Sequence, residues 1–257
     1  MRSHLLTASA AALLVAVATA LAGCASFDSS PLVAEQREIT DVRVVELRTE
    51  GDLTVRIGTT PSLTVTAGER IIDRLTAEVS DGALRLDWAG DSMPRNAKIS
   101  YELTVTALES VTVLGSGDAR VDFTGASEPT IIVSGSGDVD ATGIDAMSAE
   151  ITMDGSGEVT VEDAKVDNLS VRIGGAGGAA IDGTAGTQRV ELNGSGDYQA
   201  TGLRSAEVFL EVHGSGGADI SADARLEVIL DGSGDVFYGG GARVTKDVSG
   251  SGELSRR

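Results

Sequence analysis

Between residues 111 and 257 apolar and polar positions alternate with a period of two, and the alternation itself recurs about every twenty residues. A glycine motif marks each recurrence. Gly-Ser-Gly-Asp opens at Gly115, Gly135, Gly194 and Gly232, and Gly-Ser-Gly-Glu at Gly155 and Gly250. Gly175-Ala176-Gly177-Gly178 and Gly214-Ser215-Gly216-Gly217 are variants, and successive first glycines stand 20, 20, 20, 19, 20, 18 and 18 residues apart. Four positions before the first glycine come Val111, Ile131, Ile151, Val171, Val190, Leu210 and Val228. Two before it come Val113, Val133, Met153, Ile173, Leu192, Val212, Leu230 and Val248. After the motif the apolar positions resume at Ala119, Val139, Val159, Ala179, Tyr198, Ala218, Val236 and Leu254.

Apolar-x-apolar is the signature of a strand with one buried face. Each repeat therefore predicts two short strands meeting at a Gly-x-Gly corner. The corner glycines are Gly115 and Gly117, Gly135 and Gly137, Gly155 and Gly157, Gly194 and Gly196, Gly214 and Gly216, Gly232 and Gly234, and Gly250 and Gly252. Their expected role is structural, because glycine accepts a positive φ without a Cβ clash. A unit this short cannot bury a core alone and must stack on its neighbours. With no helical period present, the stack is a β-solenoid of about 20-residue coils, some 34 Å long over the repeats at a strand spacing of ~4.8 Å.

Residues 38–110 carry strand periodicity without the motif, as in Val42 to Leu47, Leu53 to Ile57, Leu63 to Ala67, Leu84 to Trp88 and Ile99 to Val105. Ser80-Asp81-Gly82 is a turn signal, and Ile71 to Val79 has room for a short helical turn. This region is expected to form less regular coils that begin and cap the same all-β domain, 38–257.

The N-terminus adds an address. Arg2 precedes an uncharged apolar run from Leu5 to Leu21, which reads as a secretory signal over residues 1–23. Leu21-Ala22-Gly23-Cys24 resembles the bacterial lipobox, in which the chain is cut before the cysteine and the cysteine receives fatty-acyl chains, palmitate among them. Cys24 is the only cysteine in the chain, so no disulfide competes for it. Residues 24–37 then form a tether, and the protein is expected to be exported and held on the extracytoplasmic side of the cell membrane.

Charge and composition narrow the chemistry. With 39 acidic and 20 basic residues the net charge is −19, which excludes nucleic acid as a partner, since phosphate binding needs clustered Lys and Arg. Two histidines, His4 and His213, leave little for acid–base or Ser-His-Asp catalysis. Asp118, Asp138 and Glu158 share a column with Asp197, Asp235 and Glu253. Stacked carboxylates are a candidate Ca²⁺ site, set against a solvated acidic edge. His213 falls between Asn193 and Asp231 in another column. Arg172, Glu191 and Glu211 share an outward column, the nearest approach to an acid, a base and a cation in one cleft.

The strings Val45-Glu46-Leu47, Asp52-Leu53-Thr54-Val55 and Ala83-Leu84-Arg85-Leu86 lead through Tyr101-Glu102-Leu103-Thr104-Val105 and Leu108-Glu109-Ser110-Val111 into Gly115-Ser116-Gly117-Asp118. As a set they resemble the bacterial family described as "putative auto-transporter adhesin, head GIN domain", over about residues 38–257. The resemblance implies a right-handed parallel β-helix, pectin-lyase-like in shape, with no shared catalytic residues and a role in cell adhesion. No cofactor is expected, the candidate Ca²⁺ site aside. The expected function is a lipid-anchored, non-catalytic adhesion, binding or structural module of the cell envelope. Its partner would be an envelope or extracellular polymer or protein. A carbohydrate-active β-helix enzyme (lyase or hydrolase) and a Ca²⁺-responsive scaffold stay open as alternatives.

Overall fold

The computed structural model describes residues 28–94 and 97–257. Strands make up 61% of the described residues and wind into a parallel β-solenoid of about 7 turns. Helix among the described residues is limited to a 3-10 turn at Ile72–Arg74. Cys24 and the signal-like segment lie outside the described residues.

The seven N-terminal strands are β1 (Leu32–Arg37), β2 (Val44–Leu47), β3 (Asp52–Ile57), β4 (Ser62–Gly68), β5 (Leu75–Ser80), β6 (Ala83–Trp88) and β7 (Ser100–Val105). The repeats begin with β8 (Ser110–Val113), β9 (Ala119–Asp122), β10 (Thr130–Val133) and β11 (Val139–Thr142). Longer strands follow that bend round a corner: β12 (Asp145–Met153), β13 (Glu158–Ile173), β14 (Gly178–Leu192), β15 (Tyr198–Val212) and β16 (Ala218–Leu230). The last coil is β17 (Val236–Gly239), β18 (Arg243–Val248) and β19 (Leu254–Arg256).

The apolar columns of the sequence are the registers of the stack. On the first face Val111, Ile131, Ile151, Val171, Val190, Leu210 and Val228 pair coil to coil. On the second face Ala119, Val139, Val159, Ala179, Tyr198, Ala218 and Val236 do the same. Both sets are buried. Tyr198 fits because its in-register neighbours, Ala179 and Ala218, are small. Its hydroxyl crosses the interior and donates to Gln188 Oε1 at 2.8 Å, and Gln188 Nε2 donates to Ser205 Oγ. These three buried polar groups thus satisfy one another, as a low-dielectric interior requires.

A third face, beyond the two strands per repeat expected from the pattern, is built from Asp145 to Ala149 onward. It pairs Val166 with Ala185, Ser205 and Ala222 in successive coils. The chain turns into it through left-handed backbone at Gly143 (φ 74°), Asp163 (φ 54°) and Gly240 (φ 95°). The motif glycines are different. Gly135 and Gly155 are not among the positive-φ residues, so the expectation from conformational freedom is corrected. Glycine is required there by close approach: a Cβ on Gly135 would overlap the carbonyl oxygen of Gly115, and one on Gly155 that of Gly135.

Stack order departs from chain order at the N-terminal end. β2 lies between β6 and β8, and β3 between β7 and β9, so the β6–β7 coil sits beneath a coil that precedes it in sequence. Antiparallel strands then close this end. β5 returns along β6 through Asp81 (φ 52°) and Gly82 (φ 78°), a pair suited to a type I′ hairpin, and β4 runs against β7. Residues 38–110 are therefore a parallel base plus an antiparallel cap, not only irregular coils. The tether boundary is also corrected, because Leu32–Arg37 is β1, six residues paired antiparallel to β4. Its sequence, Leu-Val-Ala-Glu-Gln-Arg, has no clean alternation; the free edge of β4 makes it a strand.

At the opposite end the first-face apolar column stops. Val228 pairs with Lys246, an exposed lysine at a position that is apolar in every earlier repeat. A charge at a core position on an edge strand blocks further strand addition.

Candidate functional site

The acidic column proves to be a backbone staple. Asp118 Oδ1 accepts the N–H of Asp138 at 3.0 Å, and Asp138 Oδ1 accepts the N–H of Glu158 at 2.8 Å. Asp197 and Asp235 repeat the contact with Gly217 (2.8 Å) and Glu253 (3.0 Å), and Asp52 begins the series at Asp118 (3.4 Å). Each of these five aspartates thus caps a corner N–H one coil further on, whereas at Glu158 the next N–H, of Gly178, goes to the Gly157 carbonyl instead. Among the described residues no group of three or more His, Cys, Asp or Glu side chains is placed to hold a metal ion.

His213 does not assemble with Asn193 and Asp231. Its Nε2 lies 3.5 Å from Oε2 of Glu211, two residues earlier near the end of β15, while Asn193 Nδ2 donates to Glu191 Oε1 at 2.8 Å. Arg172 and Glu191, in contrast, do meet: Nε to Oε2 is 3.0 Å across the β13–β14 register. The Asn193 hydrogen bond, followed by Arg172, holds the Glu191 carboxyl below its usual range. A general acid near neutral pH needs the reverse shift, from burial or a like charge.

A cleft lies along this edge. Where Glu128 and Pro129 precede β10, the coil has no third-face strand, and a recess of about 260 Å³ opens between Thr130, Glu150, Asn168, Ser170 and Arg189. It adjoins a second recess of about 310 Å³ bounded by Arg172, Glu191, Phe209 and Glu211, with Ser170 and Arg189 common to both. The coil symmetry is broken here, and the walls mix polar side chains with Pro129, Ala149 and Leu169. Phe209 stands half-buried in the outward column that runs Ser170, Arg189, Phe209, Glu227. The Arg189 guanidinium lies 5.2 Å from its ring centroid and that of Arg225 5.0 Å. Phe209 and Arg189 are not among the residues the repeat pattern singles out, although a signal is present: an aromatic side chain at an outward, otherwise polar column, in a chain with four phenylalanines.

Comparison with known proteins bears on the whole fold. No curated protein matches the chain. Its structure is similar to that of a putative adhesin from Parabacteroides distasonis, with a TM-score of 0.84 and 21% identity, covering 90% of this chain and 99% of that one. It is also similar to a putative lipid binding protein from the same species (TM-score 0.79, 22% identity, 90% and 98% covered). A putative adhesin from Parabacteroides merdae gives a TM-score of 0.74 at 19% identity, with 90% and 98% covered. At these identities the likeness establishes the fold. The family model for "putative auto-transporter adhesin, head GIN domain" matches residues 43–242, from the residue before β2 to the one before β18. That span holds most of the solenoid and all but one of its glycine corners, and the chain belongs to the putative auto-transporter adhesin, head GIN domain family.

Proposed function

We propose that the protein is a lipid-anchored, non-catalytic binding module of the cell envelope, tethered through Cys24 and engaging a polymer with the cleft between Glu128 and Phe209. The observation that carries this reading is the state of the cleft's charged groups. Arg172 and Glu191 are bound to each other at 3.0 Å, and more than half of the arginine side chain is exposed (59%). Catalysis needs charged groups desolvated and preorganised around a reacting atom, whereas recognition needs only complementary surface. The names of the similar structures, adhesin and lipid binding protein, are compatible with a surface role. Any lipid on this chain is assigned to Cys24, since the solenoid interior is filled by its own side chains.

Cell fractionation and fatty-acid labelling of the full chain and of Cys24→Ser test the anchor: labelling and membrane association are expected for the first and lost in the second. A Cys24→Ser protein that stays in the membrane fraction refutes it. Incubation with acidic and neutral polysaccharides tests the rest. Retention without new chain ends is expected, and cleavage that disappears in Arg172→Ala or Glu191→Gln promotes the enzyme.

A further inference from the structure

We infer that the cleft around Arg189 is a subsite for an acidic sugar, a carboxylate carried on a polyhydroxylated ring within a glycan chain; this rests on the binding-module reading above. Arg172 is taken by Glu191 at 3.0 Å and Arg225 by Glu227 at 2.6 Å, whereas Arg189 has no ion pair among the described residues. It is exposed, it borders both recesses, and the ring of Phe209 supports its guanidinium at 5.2 Å. A guanidinium resting on an aromatic ring keeps its hydrogen-bonding fork directed outward and loses little freedom when it binds. The ligand matched by that fork is an oxyanion, and a planar carboxylate takes it in two parallel bonds.

The surroundings choose among oxyanions. The walls bring Thr130, Ser148, Ser170 and Asn168 as hydroxyl and amide partners, with Glu128 and Glu150 as acceptors. Such a set suits ring hydroxyls. A densely charged polyanion is disfavoured by those carboxylates and by a net charge of −19, and one unpaired arginine cannot replace its counterions. A neutral sugar would leave the guanidinium without a partner. One charge per ring, set among hydroxyls, satisfies both the arginine and the walls. The recess also lies where the Glu128–Pro129 segment interrupts the third face, so the subsite occurs at one level of the solenoid and not in every coil.

The test is calorimetric titration of the full chain in detergent with oligomers of galacturonate, mannuronate and sialic acid. Methyl-esterified galacturonate and inorganic phosphate serve as comparisons. At least one acidic oligomer is expected to bind, and the ester of the galacturonate at least tenfold more weakly where the free acid binds. Arg189→Ala should lose tenfold or more, Arg189→Lys should retain part, and Arg120→Ala, on the second face, should match wild type; thermal melts confirm that each variant folds. No binding to any of the three acids, equal binding of acid and ester, binding of phosphate as tight as that of the acids, or an unaffected Arg189→Ala overturns the acidic-sugar subsite. Binding to neutral oligomers that ignores Arg189 overturns it too, yet leaves the binding-module reading standing. Release of shortened oligomers refutes the non-catalytic reading instead.

Discussion

Tyr198 and Gln188 hydrogen-bond across the middle of the largely apolar solenoid, hydroxyl to Oε1 at 2.8 Å, both residues with 0% exposure. Burial of the tyrosine pushes its hydroxyl well above the usual range, so it remains a donor at all ordinary pH values. Tyr198→Phe keeps the ring between Ala179 and Ala218 but leaves the Gln188 oxygen without its donor, which costs about 1–3 kcal/mol. Adding Gln188→Leu and Ser205→Ala to Tyr198→Phe should recover part of that loss. Urea titration of the single and combined variants checks both, and simple additivity would show that the three groups do not act as a network.

The corner glycines separate two explanations that make different predictions. If they served only to turn the chain, alanine would cost little, because Gly155 has no positive φ. Close approach predicts the opposite: the new methyl overlaps the Gly135 carbonyl, part of a ladder in which neither coil can shift alone. Gly155→Ala should therefore cost about 2 kcal/mol or more, in the range of overpacked cores. Ser156→Ala, exposed between the two glycines, should stay within about 0.5 kcal/mol of wild type by chemical denaturation.

Both apolar columns and the corners were legible because the twenty-residue spacing places like residues in register, from Val111 through Val228. The third face was not, for two physical reasons. Its inward positions change character, with Val166, Ala185, Ser205 and Ala222 stacked together. The coils also slip there, with register shifts between Val161 and Ala164 and again between Ala180 and Gly183. The cleft inherits this opacity. Arg189 and Phe209 are neighbours only through the register of β14 and β15, and the gap below them exists because the segment before Thr130 lacks a third-face strand. β1 was hidden because its partner, not its own pattern, makes it a strand.

Lys246 carries a prediction about assembly. It occupies the position of Val228 one coil on, with Val248 39% exposed two residues later. Lys246→Val would extend the apolar column onto an open edge, and such edges recruit other chains. Light scattering at matched concentrations should show Lys246→Val associating where the wild type does not. Unchanged size would mean that another feature protects this end.

Alkaline unfolding should report on Tyr101. Burial pushes its hydroxyl up to about 12, partly offset by the Thr49 hydroxyl at 3.2 Å. In the unfolded chain the same group ionises near 10. Between those values only the unfolded state loses the proton, so this contribution to stability is intact below pH 10 and is lost as pH rises toward 12. The slope is at most about 1.4 kcal/mol per pH unit for one proton. Tyr101→Phe should flatten the stability profile by that one proton in this window, and an unchanged slope would refute the assignment.

The carboxylate column offers the last test, because a staple and a cation site respond differently to the same substitution. Asp138 Oδ1 accepts the Glu158 N–H at 2.8 Å, and the amide of Asp138→Asn keeps that acceptor while removing the charge. A staple therefore predicts near-wild-type stability for Asp138→Asn and a loss of about 0.5–1.5 kcal/mol for Asp138→Ala, the contribution of one hydrogen bond. It also predicts that Ca²⁺ stabilises no more than Mg²⁺ at equal ionic strength, since both only screen the repulsion of a chain with net charge −19. A Ca²⁺ site predicts the reverse: a Ca²⁺-specific rise in melting temperature that Asp138→Asn and Asp138→Ala abolish alike, because coordination depends on the charge that both remove. Melting curves of the three proteins with each cation decide between the two, and a Ca²⁺-specific shift confined to wild type would restore the Ca²⁺-responsive scaffold.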